Sequence, residues 1–189
     1  MTLKESNYKL LLNFFWYQTI WFAAVLGGPE FEMLITLLLG LHLLQVKDRK
    51  AELMTLALCG GMGICVDSIL TWQGLFVFDP APAMLPIPYW LMGIWFGFAG
   101  ILHHSLNYIV RRPIFAIAAG AIFAPLTYFA AARLGAVTFA FPPTTSAIVI
   151  GTVWATLMAL FSMFCLWVER RNEAEQPLLI GSVNHAITK

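Results

Sequence analysis

The chain has 189 residues, 60% of them hydrophobic and 11% charged, with a formal net charge of +1. A globule of this length cannot hide that much apolar surface, so a water-soluble fold is excluded and lipid must act as part of the solvent. No basic face exists outside the gaps between apolar segments, which argues against nucleic acid as a partner.

The apolar segments in chain order predict helices at about 10–26, 29–45, 51–73, 88–110, 113–134 and 146–168. The first follows a short basic start, as a signal peptide would. Its aromatic run Phe14-Phe15-Trp16-Tyr17 and the closing Gly27-Gly28-Pro29 do not resemble a small-residue cleavage site. Pro29 suits a helix start, with Glu30 and Glu32 in the first turn at the positive end of the dipole. This second helix is short for a full span, which leaves a re-entrant path open. Residues 1–168 form one membrane domain, and 169–189, mixed and polar, read as a mobile cytoplasmic tail. Cys59, Cys65 and Cys165 all lie in apolar segments and suggest neither a disulfide framework nor zinc spacing.

Charge alternates between the gaps. Lys4 and Lys9, then Lys47, Arg49 and Lys50, then Arg111 and Arg112, then Arg170, Arg171 and Lys189 occupy every second one; the others carry Glu30, Glu32 and Asp79. Short loops rich in Lys and Arg stay cytoplasmic, so the expectation is an all-α bundle of six transmembrane helices with both termini inside. Arg133 alone breaks the pattern. Two outer connections, 74–88 and 135–143, are apolar and proline-rich. Each runs Gly, alternating apolar residues, then Pro, which hints at a repeat of the third and fourth helices in the fifth and sixth; the match is short enough for chance to account for it.

Small residues mark the faces that meet in lipid. Ala57, Gly60, Gly63 and Asp67 share one stripe, Gly93, Gly97, Gly100 and His104 another, and Ala116, Gly120, Ala124 and Tyr128 a third. Each stripe ends in a polar side chain. Asp67 and Tyr128 both lie about 9 Å inside the outer ends of their helices, so they can share a site. They are the candidate catalytic residues, with Arg133 as the cation available on that side. Asp67 is either a functional carboxylate or half of a structural ion pair with Arg133.

A second polar group lies toward the cytoplasm: His103, His104 and Asn107 in the fourth helix, His42 in the second and Asn13 in the first. These are candidate binding residues, read mainly as hydrogen-bonding or head-group contacts. Adjacent histidines point about 100° apart on a helix, so a metal would need His42 or another helix to contribute, and no metal site is assigned. Trp72, Phe76, Tyr89 and Trp90 read as an aromatic belt at the outer interface.

Trp21-Phe22, Asp67 with Gly74 and Phe76, Pro88-Tyr89-Trp90-Leu91 with Trp95 and Phe98, Leu102-His103-His104-Ser105-Leu106, Gly120-Ala121, Pro125-Leu126-Thr127-Tyr128 and Gly135-Ala136 together resemble a family of small bacterial inner-membrane proteins catalogued as domain of unknown function 2878. The resemblance covers about 10–168. It implies no established activity and no known cofactor. Gene neighbourhoods of some members imply a context of enzymes that methylate or oxidise phospholipid acyl chains. Two expectations follow: an enzyme or accessory protein acting on membrane lipid or an apolar small molecule, or a small transporter or non-catalytic partner protein in which Asp67 binds a cation or proton.

Overall fold

Backbone in lipid has no water to bond, so its N–H and C=O groups must be satisfied within the chain, and here they are satisfied almost wholly in helices. The computed structural model describes the backbone of residues 3–187 and the side chains of residues 7–171. α1 (Leu3–Gly27) leads through a 3-10 turn at Gly28–Phe31 into α2 (Glu32–Gln45). α3 (Arg49–Thr55) runs through a π-helical segment, Leu56–Gly60, into α4 (Gly61–Trp72). Then come β1 (Phe76–Val77), α5 (Tyr89–Leu102), the short α6 (Asn107–Val110), α7 (Pro113–Arg133), β2 (Thr138–Phe139) and α8 (Pro143–Ile187). Lys189 of the expected tail lies outside the described residues.

Four stretches are long and apolar enough to cross a membrane: Asn7–Gln45, Arg49–Trp72, Pro113–Arg133 and Pro143–Arg171; Tyr89–Leu102 is a shorter apolar helix. The first of these is folded back on itself. As one straight helix it would hold Trp16 and His42 about 39 Å apart; instead their rings stack at 4.5 Å, and Trp16 Nε1 donates to the Leu38 carbonyl at 3.1 Å. The reversal falls at Gly28, whose φ is +52°.

α5 is the hub on which α1, α2 and the continuous α3–α4 helix pack. Small residues set these approaches. A Cβ on Gly97 would meet Ile20 and Tyr17 of α1, one on Gly93 would clash with Ile35 of α2, and one on Gly63 would overlap the Trp95 indole. α7 and α8 form a second pair, with Gly120 against the Trp154 backbone and Gly151 against the Ala121 carbonyl that Pro125 cannot engage. Ser162 of α8 donates to the Val110 carbonyl, and Arg111 pairs with Glu169 at 3.2 Å, tying α8 to the segment before α7.

The helix expected over 88–110 is interrupted. α5 ends at Leu102, and residues 103–106 form turns before α6. The cause lies on another helix: Asn13 of α1 accepts from Ser105 N at 3.1 Å and Ser105 Oγ at 2.8 Å and donates to the Gly100 carbonyl at 3.3 Å. That side chain satisfies backbone groups an unbroken helix would have paired internally.

The two apolar connections share one local structure. α4 closes with Gly74 N bonded to Thr71 O and Leu75 N to Leu70 O, and α7 closes with Gly135 N bonded to Ala132 O and Ala136 N to Ala131 O. Both are Schellman caps, with glycine at φ +79° and +85° where a side chain would be strained. The strands that follow pair antiparallel, Phe76 with Phe139 and Val77 with Thr138. The connections after α4 and α7 therefore meet at one end of the bundle, and the basic 47–50 and 111–112 segments lie toward the other.

Candidate functional site

Asp67 is 1% exposed, on the face of α4 that meets α5. Its Oδ2 accepts two hydrogen bonds, from Trp95 Nε1 and from the Tyr128 hydroxyl, each at 2.7 Å. Tyr128 comes from α7, so one carboxylate oxygen ties three helices together. The aromatic rings around it are ordered in turn: Trp95 stacks on Trp154 of α8 at 4.7 Å, and Tyr128 stacks on Phe76 of β1 at 5.1 Å. Each donor is held by a neighbour from a further element.

Arg133 is not part of this group. It is exposed and makes no ion pair with Asp67, whose partners are both neutral. The expectation of Arg133 as the accompanying cation is corrected by helix geometry: five positions beyond Tyr128, it is rotated about 140° around α7 and leaves the helix on a different face. The aromatic belt needs a similar correction. Trp72 and Tyr89 are exposed as a belt requires, whereas Phe76 and Trp90 are buried, one against Tyr128 and the other against Phe78.

Beside the Asp67 cluster lies a cavity of about 470 Å³. Tyr17 and Trp21 of α1 form one wall, Gly120 and Thr127 of α7 the other, and Trp95 of α5 with Trp154 of α8 the back. Phe76 and Val137 from the two connections close it at the end where the strands pair. Along α7 it extends from Ala119 to Ala131, about 18 Å of helix. The lining is overwhelmingly apolar. Phe14, Phe123 and Thr127, which also line it, are exposed on the outer surface of the helices, so the cavity's rim faces whatever surrounds the bundle. Tyr128 and Trp95 line it and Asp67 does not; the carboxylate stands behind them.

The second polar group gathers at the opposite end, around a residue the sequence reading overlooked. Glu52, in the first turn of α3, is 4% exposed. Its Oε1 lies 2.7 Å from His42 Nε2 and its Oε2 3.3 Å from His104 Nε2. His103 turns away and meets Thr55 Oγ1 at 3.1 Å. Asn107 joins neither histidine, and its buried Oδ1 has no hydrogen-bond partner. Only the spacing of Glu52 and Thr55, one turn apart on α3, could have signalled that they receive adjacent histidines.

The chain matches the family described as protein of unknown function (DUF2878) over residues 10–160. It belongs to that family. The matched region takes in Asp67, Trp95, Tyr128 and the Glu52 cluster, together with the cavity between α1 and α7. No curated protein and no solved structure matches the chain.

Proposed function

We propose that this DUF2878 protein is a six-pass protein of the bacterial inner membrane, with both termini cytoplasmic, that holds a lipid or apolar small molecule between α1 and α7. The observation that carries this reading is the cavity itself: about 470 Å³, predominantly apolar along its length, with Tyr17, Gln18, Thr127 and Tyr128 as its few polar side chains besides the tryptophan indoles. That size falls within the range of small-molecule sites, in which a few polar groups orient an otherwise apolar ligand. The six-pass topology rests on the charge alternation and on the hairpin of α1 and α2.

The chemistry at Tyr128 favours binding. The Tyr128 proton is committed to Asp67 and the Trp154 indole is a hydrogen-bond partner of the same hydroxyl, so what the oxygen has left to offer a ligand is its remaining acceptor capacity. A ligand with an apolar tail and a hydrogen-bond-donating head, such as a hydroxyl or amide, fits that arrangement. Asp67 then acts as a positioning residue, fixing Tyr128 and Trp95. An accessory role beside enzymes that modify acyl chains suits such a holder.

The test is native mass spectrometry of the full chain released from membranes, with lipid profiling of cells that lack it. The expected result is a co-purifying apolar molecule, displaced by Thr127→Trp, which places an indole at the cavity rim, and held less tightly by Tyr128→Phe. Wild-type protein that carries no such molecule, with an unaltered lipid profile in the deleted strain, would sink the reading.

A further inference from the structure

We propose that His42, Glu52 and His104 form a binding site for a divalent transition-metal ion of the zinc class. The site lies at the other end of the bundle from the Asp67 cluster, and none of its three residues lines the cavity. One potential ligand atom from each residue lies within 4.8 Å of the other two. Both imidazoles offer the same atom, Nε2, toward the same carboxylate. Their rings stand perpendicular with centroids 5.5 Å apart, so they do not stack, and the two Nε2 atoms meet one oxygen each of the Glu52 carboxylate.

The donor set is the two-histidine, one-carboxylate combination that zinc sites use with a further position left open. Imidazole nitrogen selects zinc-like ions over magnesium and calcium, which take oxygen ligands. With bonds of about 2.0 to 2.2 Å, tetrahedral donors stand about 3.4 Å apart, so the hydrogen bond between His42 and Glu52 at 2.7 Å has to open while the more distant donors close around the ion. The residue able to move is His104: it sits in the turn after α5, and its side chain is 34% exposed. That exposure also gives an ion a route to the cluster from outside.

The surroundings hold the other ligands in place. Trp16 lies flat on His42 and is itself anchored to the Leu38 carbonyl. A Cβ on Gly100 would stand 3.2 Å from His42 Nε2, so the absence of a side chain there leaves the nitrogen its space. Glu52 is almost wholly buried, and among the described residues its ion-pair partners are the two imidazoles alone. A buried carboxylate needs compensating charge. A divalent ion provides it with both histidines neutral, the form in which they act as ligands.

The experiment uses the full chain, free of any affinity tag, in detergent micelles, with Zn²⁺ as the probe. Equilibrium dialysis should give one saturable Zn²⁺ per chain, and Tm should rise with Zn²⁺ concentration, because an ion that binds only the folded state stabilises it by mass action. Glu52→Gln and His104→Gln should each weaken binding at least tenfold and abolish the Tm response. His103→Gln, whose ring points to Thr55, should leave both unchanged. If Glu52→Gln fails to fold, His104→Gln at the exposed corner decides alone. Absence of saturable binding, or binding and Tm response equal to wild type in His104→Gln, overturns the proposal and leaves the cluster as hydrogen bonding only.

Discussion

Trp95 gives its indole proton to the same Asp67 oxygen that accepts the Tyr128 hydroxyl, so a residue of α5 and a residue of α7 are joined through one buried carboxylate of α4. Removing that oxygen strands two buried donors. Asp67→Ala should cost about 1–3 kcal/mol for each donor left unpaired, whereas Tyr128→Phe, which removes a donor and leaves Trp95 satisfied, should cost about 0.5–1.5 kcal/mol. Asp67→Asn keeps an acceptor and should fall nearer Tyr128→Phe than Asp67→Ala. Thermal unfolding of the purified variants measures this order; equal losses in Asp67→Ala and Asp67→Asn would show that the acceptor is not what holds the three helices.

Arg133→Gln should change stability by less than about 0.5 kcal/mol, as exposed substitutions away from buried networks do. The same unfolding series reads it. A loss as large as that of Asp67→Ala would restore Arg133 as the partner of Asp67.

Where the sequence was legible and where it was not follows from the range of the forces involved. Helix rise is fixed, so equal depths were enough to bring Asp67 and Tyr128 together across 61 positions. Direction around a helix is equally fixed, and counting it from Tyr128 would have turned Arg133 away. The stop of α5 at Leu102 was illegible because its cause, Asn13, lies 92 positions from Ser105. Glu52 was passed over because an acid in the first turn of a helix is expected there for its dipole alone, and its partners are 10 and 52 positions distant. The pairing of β1 with β2 had only the shared Gly-and-Pro pattern of two loops to announce it.

Two glycines offer a contrasting pair. At Gly63 a Cβ would overlap the Trp95 indole, whereas at Gly40 nothing lies within 4 Å. Gly63→Ala must displace Trp95 from Asp67 or push α4 from α5, and should destabilise by about 1–3 kcal/mol, the cost of overpacking a filled core. Gly40→Ala gains helix propensity and should be neutral or stabilising by up to about 1 kcal/mol. Folded yield and Tm of the two variants make the comparison; similar behaviour would mean that α4 and α5 are not as close as the structure places them.

The last prediction concerns topology and register together. β1 and β2 follow different helices, so their pairing requires both connections to lie on one side of the membrane. Val77 and Thr138 are direct partners, and antiparallel partners stand about 4.5–5.5 Å apart at Cα, within the span a disulfide bridges. The double variant Val77→Cys with Thr138→Cys, in a chain whose Cys59, Cys65 and Cys165 are replaced by serine, should therefore cross-link in intact cells. In the proposed topology, with both termini inside a bacterial inner membrane, the pair faces the oxidising side, and the bond should form without added oxidant. A control pair, Val77→Cys with Leu44→Cys, joins opposite ends of the bundle and should remain reduced. A bond that forms only after lysis and added oxidant would keep the register and reverse the topology; no bond under either condition would refute the ribbon itself.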